Sequence, residues 1–188
     1  MGALSWISDF FGFFGKLIPR ILIVRRTHQG IAFIRGKKVK KLFPGITIYW
    51  PILTEVLTYP VVRQTANLNA QCLMTNDDFT VVAGGIVVYS VYDIEKALAE
   101  TWDLDETIVD ISQVGLRNVI VSKTISQINN NRKEIDQQLT TELREQLKEF
   151  GINVIRVSIA DFAKCLVIKN MGQQVTYLPK LEEDQTEL

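Results

Sequence analysis

The stretch that most limits the fold is FTVVAGGIVVYSVY, residues 79–92, the longest β-type run in the chain. Such a density of Val, Ile, Tyr and Phe suits a pleated surface and argues against a helix. Gly84-Gly85 in its middle predicts a bulge or a bend. Several shorter β-type segments precede it, so the arrangement predicted is a mostly antiparallel sheet. Residues 30–35, GIAFIR, read as one strand. Residues 46–50, ITIYW, place Ile46, Ile48 and Trp50 on one side and Thr47 and Tyr49 on the other, the period of a half-buried strand. Pro44-Gly45 and Pro51 bracket it. Residues 55–59 and 61–69 are further strands split by Pro60, and residues 70–74 continue the second. Thr75-Asn76-Asp77-Asp78 is a turn.

The character changes at Asp93, which can cap a short helix, IEKALAET. A second helix runs from about Asp105, with Ile108, Ile111, Val114 and Val119 as its expected buried face. A third is expected to start at Asn131, where Glu134 has capping-box spacing. Ile135, Leu139, Leu143, Leu147 and Phe150 then form one apolar stripe, and Gly151 stops the helix. Residues 152–159, INVIRVSI, alternate as a strand with Ile155, Val157 and Ile159 on the expected buried side. LVI at 166–168 reads as one more short strand, and LEEDQTEL as an acidic, disordered end. Strands, then helices, then a closing strand make an α+β domain.

Residues 3–20 divide cleanly on a helical wheel. Leu4, Trp6, Ile7, Phe10, Phe11, Phe13, Phe14, Leu17 and Ile18 share one half with Ala3; Ser5, Ser8, Asp9, Gly12, Gly15, Lys16, Pro19 and Arg20 share the other. One bulky apolar face and one small polar face suit an amphipathic helix lying in a membrane interface. A bilayer span fits less well, because Asp9, Lys16, Pro19 and Arg20 interrupt the run. A helix docked on the protein's own core, or an oligomer seam, uses the same stripe. A secretory signal is excluded by the missing positive n-region and by Asp9. Arg25 and Arg26 follow an apolar run, Ile21 to Val24, and fit the headgroup zone or the start of an exposed strand. Lys37, Lys38, Lys40 and Lys41 sit in the next loop, where they can meet anionic lipid or line a solvated hairpin turn.

The 21 basic and 21 acidic residues cancel, which argues against a nucleic-acid partner. Cys72 and Cys165 form no CxxC pair and His28 is the only histidine, so no metal site, cofactor site or catalytic constellation is expected. The pairs Asp77-Asp78 and Glu182-Glu183 lie in a turn and a tail and read as solubilising charges.

In order, the pieces GIAFIRGKKVKKLFPGITIYWPI, YSVYDIEKAL, VGLRNVI, NNNRKEIDQQLTTELREQL and FGINVIRVSIADF resemble the stomatin, prohibitin, flotillin and HflK/HflC superfamily, whose shared unit is the SPFH or band-seven domain. Pro44-Gly45, Pro51, Asp93, Arg117, Arg132, Gly151 and Asp161 fall on the family's turns, caps and helix starts. The resemblance implies a membrane segment over residues 1–24, an SPFH-type domain over 25–162 and a tail over 163–188. It implies a non-enzymatic, membrane-associated scaffold, peripheral or monotopic, that associates with itself or with other family members and restrains partners such as membrane proteases or channels. Family members continue into a long Ala/Glu-rich helix; AKCLVIKNMGQQVTYLPKLEEDQTEL, with Pro179 and no heptads, departs from that. The departure raises a second reading, a regulatory module that caps a longer relative's assembly.

Overall fold

The computed structural model describes residues 18–169 and 175–179. The chain divides into two compact units. One comprises the residues up to Arg63 with Ser90–Leu104 and Glu149–Asn153. The other comprises Gln64–Tyr89, Asp105–Lys148 and the residues from Val154 onward. The α+β order is as expected: antiparallel strands, then helices, then a closing strand. The expected N-terminal amphipathic helix lies almost wholly outside the described residues, which begin at Ile18.

In the first unit β1 (Arg20–Val24) pairs antiparallel with β4 (Gly45–Tyr49) as a two-stranded ribbon. A three-stranded sheet places β2 (His28–Ile34) between β3 (Lys38–Leu42) and β5 (Thr54–Pro60). β2 approaches β5 closely at Gly30, where a Cβ would stand 2.4 Å from the Leu57 carbonyl oxygen, so only glycine fits. Val24, Ala32 and Leu42 form a buried cluster, with Leu22 and Val56 packed against it. Helix α1 (Ile94–Ala99) packs on β2 and β3. The Asp93 side chain caps it, accepting from the Glu95 N–H at 3.2 Å. Gly151 has φ +73, and its carbonyl accepts from the N–H groups of Tyr92 and Asp93 at 3.0 and 3.2 Å. A Cβ there would also meet the Asp93 carbonyl oxygen at 2.4 Å, so Gly151 does more than stop the preceding helix.

The four-stranded sheet runs β6 (Gln64–Met74), β7 (Thr80–Val91), β8 (Ile152–Lys169) and β9 (Val175–Pro179). The irregularity expected at Gly84-Gly85 is present, but the extra residue is on the partner: β6 shifts register between Leu68 and Gln71 opposite Gly85 and Ala83. Gly85 is needed because a Cβ would lie 2.8 Å from the Ser158 carbonyl oxygen. Three helices follow within this unit: α2 (Leu104–Val121, its first residue belonging to the other unit), α3 (Ile125–Asn130) and α4 (Arg132–Lys148). Ile135, Leu139, Leu143 and Leu147 of α4 are all buried, as their spacing predicts, and Phe150 is half-buried.

Several expectations are corrected. On β4 the alternation holds, but the side carrying Ile46, Ile48 and Trp50 is the exposed one. Val114 is exposed, because the buried stripe of α2 runs Leu104, Ile108, Ser112, Leu116 and Val119, and Val114 falls nearly opposite. Gly115 lies on that stripe and brings α2 so close to α4 that a Cβ would meet Leu143 at 2.8 Å. The helix expected from Asn131 does start there, with the Ile135 N–H donating to the Asn131 carbonyl at 3.0 Å, but Asn131 is also the C-cap of α3, and it is α3 that a capping box opens, at Thr124 and Gln127. On β8 the buried positions are Ile152, Val154, Val157 and Ile159, with Ile155 only half-buried, so the strict alternation breaks between Val154 and Val157 and the buried face changes there. The segment 166–168 is not a separate strand but part of the end of β8, and β9 pairs with it from Cys165↔Pro179 to Lys169↔Val175.

One face of α4 closes the outer edge of β8. Asp136 accepts from the Ile159 N–H at 3.1 Å, Thr140 Oγ1 from the Val157 N–H at 2.9 Å, and Arg144 Nε donates to the Val154 carbonyl at 2.9 Å. The spacing explains the match. Four residues of helix rise about 6 Å, close to the roughly 6.7 Å of two strand residues, which matches Asp136 and Thr140 to Ile159 and Val157, and the longer Arg144 side chain reaches on to Val154.

Candidate functional site

The β1–β4 ribbon has two unlike faces. Leu22 and Val24 point to the buried cluster of the first unit. On the other face Ile21 stands opposite Ile48, and Ile23 opposite Ile46. These four are 68%, 64%, 70% and 74% exposed. Ile18, Phe43, Trp50, Ile52 and Leu53 flank the ribbon in sequence and are also exposed. Scattered apolar residues on a surface need no explanation, but two cross-strand pairs on one face form a contiguous patch that does.

Cations stand at both ends of this face. Arg20 opens β1, and Arg25 and Arg26 are exposed in the turn that follows it. Lys37 lies in the turn before β3, and Lys38 and Lys40 are exposed on β3. Lys41 alternates to the other side of that strand. Its Nζ meets Asp93 at 2.8 Å and Glu95 at 3.4 Å. The Asp93 hydrogen bond raises the Lys41 pKa above the ordinary lysine value, and Lys41 in turn holds the Asp93 carboxyl below the usual carboxylate range. Lys41 therefore ties β3 to the cap of α1. The segment expected as a basic loop is thus mostly strand β3, and Lys37, Lys38 and Lys40 make no ion pair among the described residues. Of the expected apolar membrane face, Leu4, Trp6, Ile7, Phe10, Phe11, Phe13, Phe14 and Leu17 lie outside the described residues, and Ile18 is exposed just ahead of β1.

The remaining reactive side chains do not assemble into a site. His28 lies on β2 of the first unit, its Nδ1 2.8 Å from Thr27 Oγ1. Cys72 and Cys165 belong to the second unit, and burial first, then the neighbouring Cys72, pushes the Cys165 thiol up. Among the described residues no group of His, Cys, Asp and Glu is placed to hold a metal. Asp77 is structural: Thr75 Oγ1 donates to it at 2.6 Å, the Ile125 N–H donates to both its oxygens at 3.3 Å, and the threonine bond leads in lowering its pKa.

The SPFH domain / Band 7 family model matches residues 22–184. The chain belongs to that family. Its similarity reaches an uncharacterised protein of Methanocaldococcus jannaschii, 29% identical over 160 residues, covering 85% of this chain and 80% of that one. Stomatin-like protein 3 of Mus musculus is 28% identical over 170 residues, 86% of this chain and 59% of its own length. A stomatin homologue of Pyrococcus horikoshii is 26% identical over 145 residues, 77% of this chain and 54% of its own. The chain thus spans little more than half the length of these two stomatin relatives. SPFH/Band 7 proteins are generally membrane-associated and non-catalytic. Among the described residues no helix is long and apolar enough to cross a membrane.

Proposed function

We propose that this SPFH/Band 7 protein is a scaffold held at one face of a membrane, peripheral or monotopic. Residues 1–24 attach it, the domain over 25–162 contacts like domains or a client, and 163–188 form a tail. Leu4, Trp6, Ile7, Phe10, Phe11, Phe13, Phe14, Leu17 and Ile18 supply the amphipathic anchor. Arg25, Arg26, Lys37, Lys38 and Lys40 face headgroups, and Lys41 supports their loop through Asp93. The observation that carries the reading is the exposed isoleucine face of the ribbon, which begins directly after the amphipathic segment and is flanked by cations that make no ion pair among the described residues. Fully burying one such side chain is worth about 1.5–3 kcal/mol, so four that start two-thirds exposed contribute roughly 4–8 kcal/mol on entering an apolar phase. Cations at the rim add about 1 kcal/mol each near an anionic surface. A protein concentrated in two dimensions this way associates with itself or with family members and restrains membrane proteases or channels.

Flotation of the full chain with phosphatidylcholine vesicles tests the reading. Ile46→Thr with Ile48→Thr keeps β-branched residues on an exposed face, so the fold persists while the floated fraction falls at least several-fold. Deleting residues 1–17 lowers it further and leaves β1 intact. Undiminished flotation of the combined variant defeats the membrane assignment. The second reading, a module that caps a longer relative, draws on the β8–β9 hairpin, which stands where the family resemblance implies a long helix. Light scattering separates the two: a scaffold assembles alone, and a cap stays monomeric until the longer partner is added.

A further inference from the structure

Beside the ribbon lies an open hollow of about 620 Å³, lined by Ile34, Arg35, Lys37, Lys38, Trp50, Leu53 and Thr54. Its lining carries three cations and no carboxylate, and none of the three makes an ion pair among the described residues. We propose that this hollow binds the phosphomonoester headgroup of a membrane phospholipid, a proposal that rests on the membrane reading above. Three convergent cations match a phosphomonoester, which carries a charge of about −1.5 to −2 near neutral pH, better than a headgroup of single net charge. Arg35 can offer a planar pair of donors to two phosphate oxygens, Lys37 and Lys38 add point charges, and the Thr54 hydroxyl is a further donor. Trp50 and Leu53 form an apolar wall on the same hollow. Trp50 follows the last residue of β4, so the glycerol and upper acyl chains would lie against the indole and continue along Ile48 and Ile46.

The backbone supplies a second, independent sign. Arg35 has φ 53 and Gly36 φ 66, in a tight turn closed by the Lys37 N–H donating to the Ile34 carbonyl at 3.2 Å. Turns with two positive φ values strongly favour Asn or Gly at the first of them. This chain holds a long cation there, pinned by its own N–H to the Leu53 carbonyl at 2.7 Å. A side chain kept at a backbone position that disfavours it is accounted for by what the side chain does.

The test compares flotation of the full chain with vesicles of phosphatidylcholine alone, with phosphatidylserine added, and with phosphatidic acid added, the two anionic sets matched in total charge. The expected preference for phosphatidic acid over phosphatidylserine is on the order of tenfold, as charge-assisted hydrogen bonds specific to one headgroup provide. Arg35→Gly should bring that ratio close to one with Tm unchanged or raised, because glycine accepts φ 53 without strain. Equal binding to the two anionic vesicles overturns the proposal, and so does a preference that survives Arg35→Gly combined with Lys37→Gln and Lys38→Gln. Millimolar inorganic phosphate should leave the ratio intact; displacement by it assigns the hollow to a soluble anion and overturns the lipid assignment. Failure to float with any of the three vesicles sinks the membrane reading itself, an outcome distinct from loss of the preference alone.

Discussion

The edge of β8 in the second unit and the β1–β4 ribbon in the first treat exposed strand surface in opposite ways. At β8 the outward backbone groups of residues 154–159 are met by Asp136, Thr140 and Arg144, three side chains spaced four apart on α4. A strand edge sealed like this offers nothing for another chain to pair with. On the ribbon the inner face is packed and the outer face is left as four bare isoleucines. That difference is what the proposal of an external contact for the ribbon face draws on.

The sharpest way to break this contrast is inside the sealed unit. Leu143 is fully buried against Gly115, so Leu143→Ala should cost about 2–5 kcal/mol in urea unfolding. A loss under about 1 kcal/mol would mean that the α2–α4 seam does not hold the unit together. Asp136→Ala comes next. It strips the Ile159 N–H of its acceptor and should cost about 1–3 kcal/mol, with faster amide exchange at Ile159. Unchanged exchange there would show that the edge does not depend on α4.

The pH dependence distinguishes the units on a finer scale. Asp77 in the second unit and Asp93 in the first have folded pKa values below their ordinary ones. Their contributions are therefore complete above the unfolded value of about 3.9 and are lost as pH falls through the lower folded values. Lys41 has the opposite sign: its pKa is raised, so its contribution is complete below about 10.4 and is lost as pH rises through the folded value. Asp77→Asn and Asp93→Asn should each flatten the acid limb of a stability-versus-pH curve, and only Asp93→Asn should flatten the alkaline limb as well. An alkaline limb unaltered by Asp93→Asn would remove the Lys41 pair from the account.

The smallest effect on stability is expected where the apolar surface is most exposed. Ile46→Thr and Ile48→Thr should each change unfolding free energy by only about 0.5 kcal/mol, since neither side chain is packed. A loss as large as that of Leu143→Ala would show that the ribbon's outer face is covered within the protein after all, and the contrast between the regions would collapse.

Particular residues show how far the chain could be read in advance. Ile135, Leu139, Leu143 and Leu147 recur at helical spacing and are all buried, because an amphipathic helix has one apolar face and buries it. Asp93 announces its helix, since N-caps are local chemistry. Thr124 with Gln127 was an equally local sign and is the true capping box, but Asn131 with Glu134 offered the same spacing nearby. Lys41 looked like its neighbours Lys38 and Lys40. Strand alternation turned it inward to an acid fifty-two positions away, which no local reading of the loop contains.

Element types, their order and the buried stripe of α4 follow from the linear chain, because periodicity, capping and glycine punctuation act over a few residues. The side of a strand that meets the core does not follow from it. ITIYW has the alternation of a half-buried strand whichever face is covered, and only the pairing of β4 with β1, with Leu22 and Val24 turned inward, leaves Ile46 and Ile48 outside. The hollow beside Trp50 likewise needs Arg35, Lys38 and Thr54 from three strands and turns to meet. Alternation is a property of one strand, whereas burial is decided by what lies above it, and that depends on contacts between segments distant in the chain.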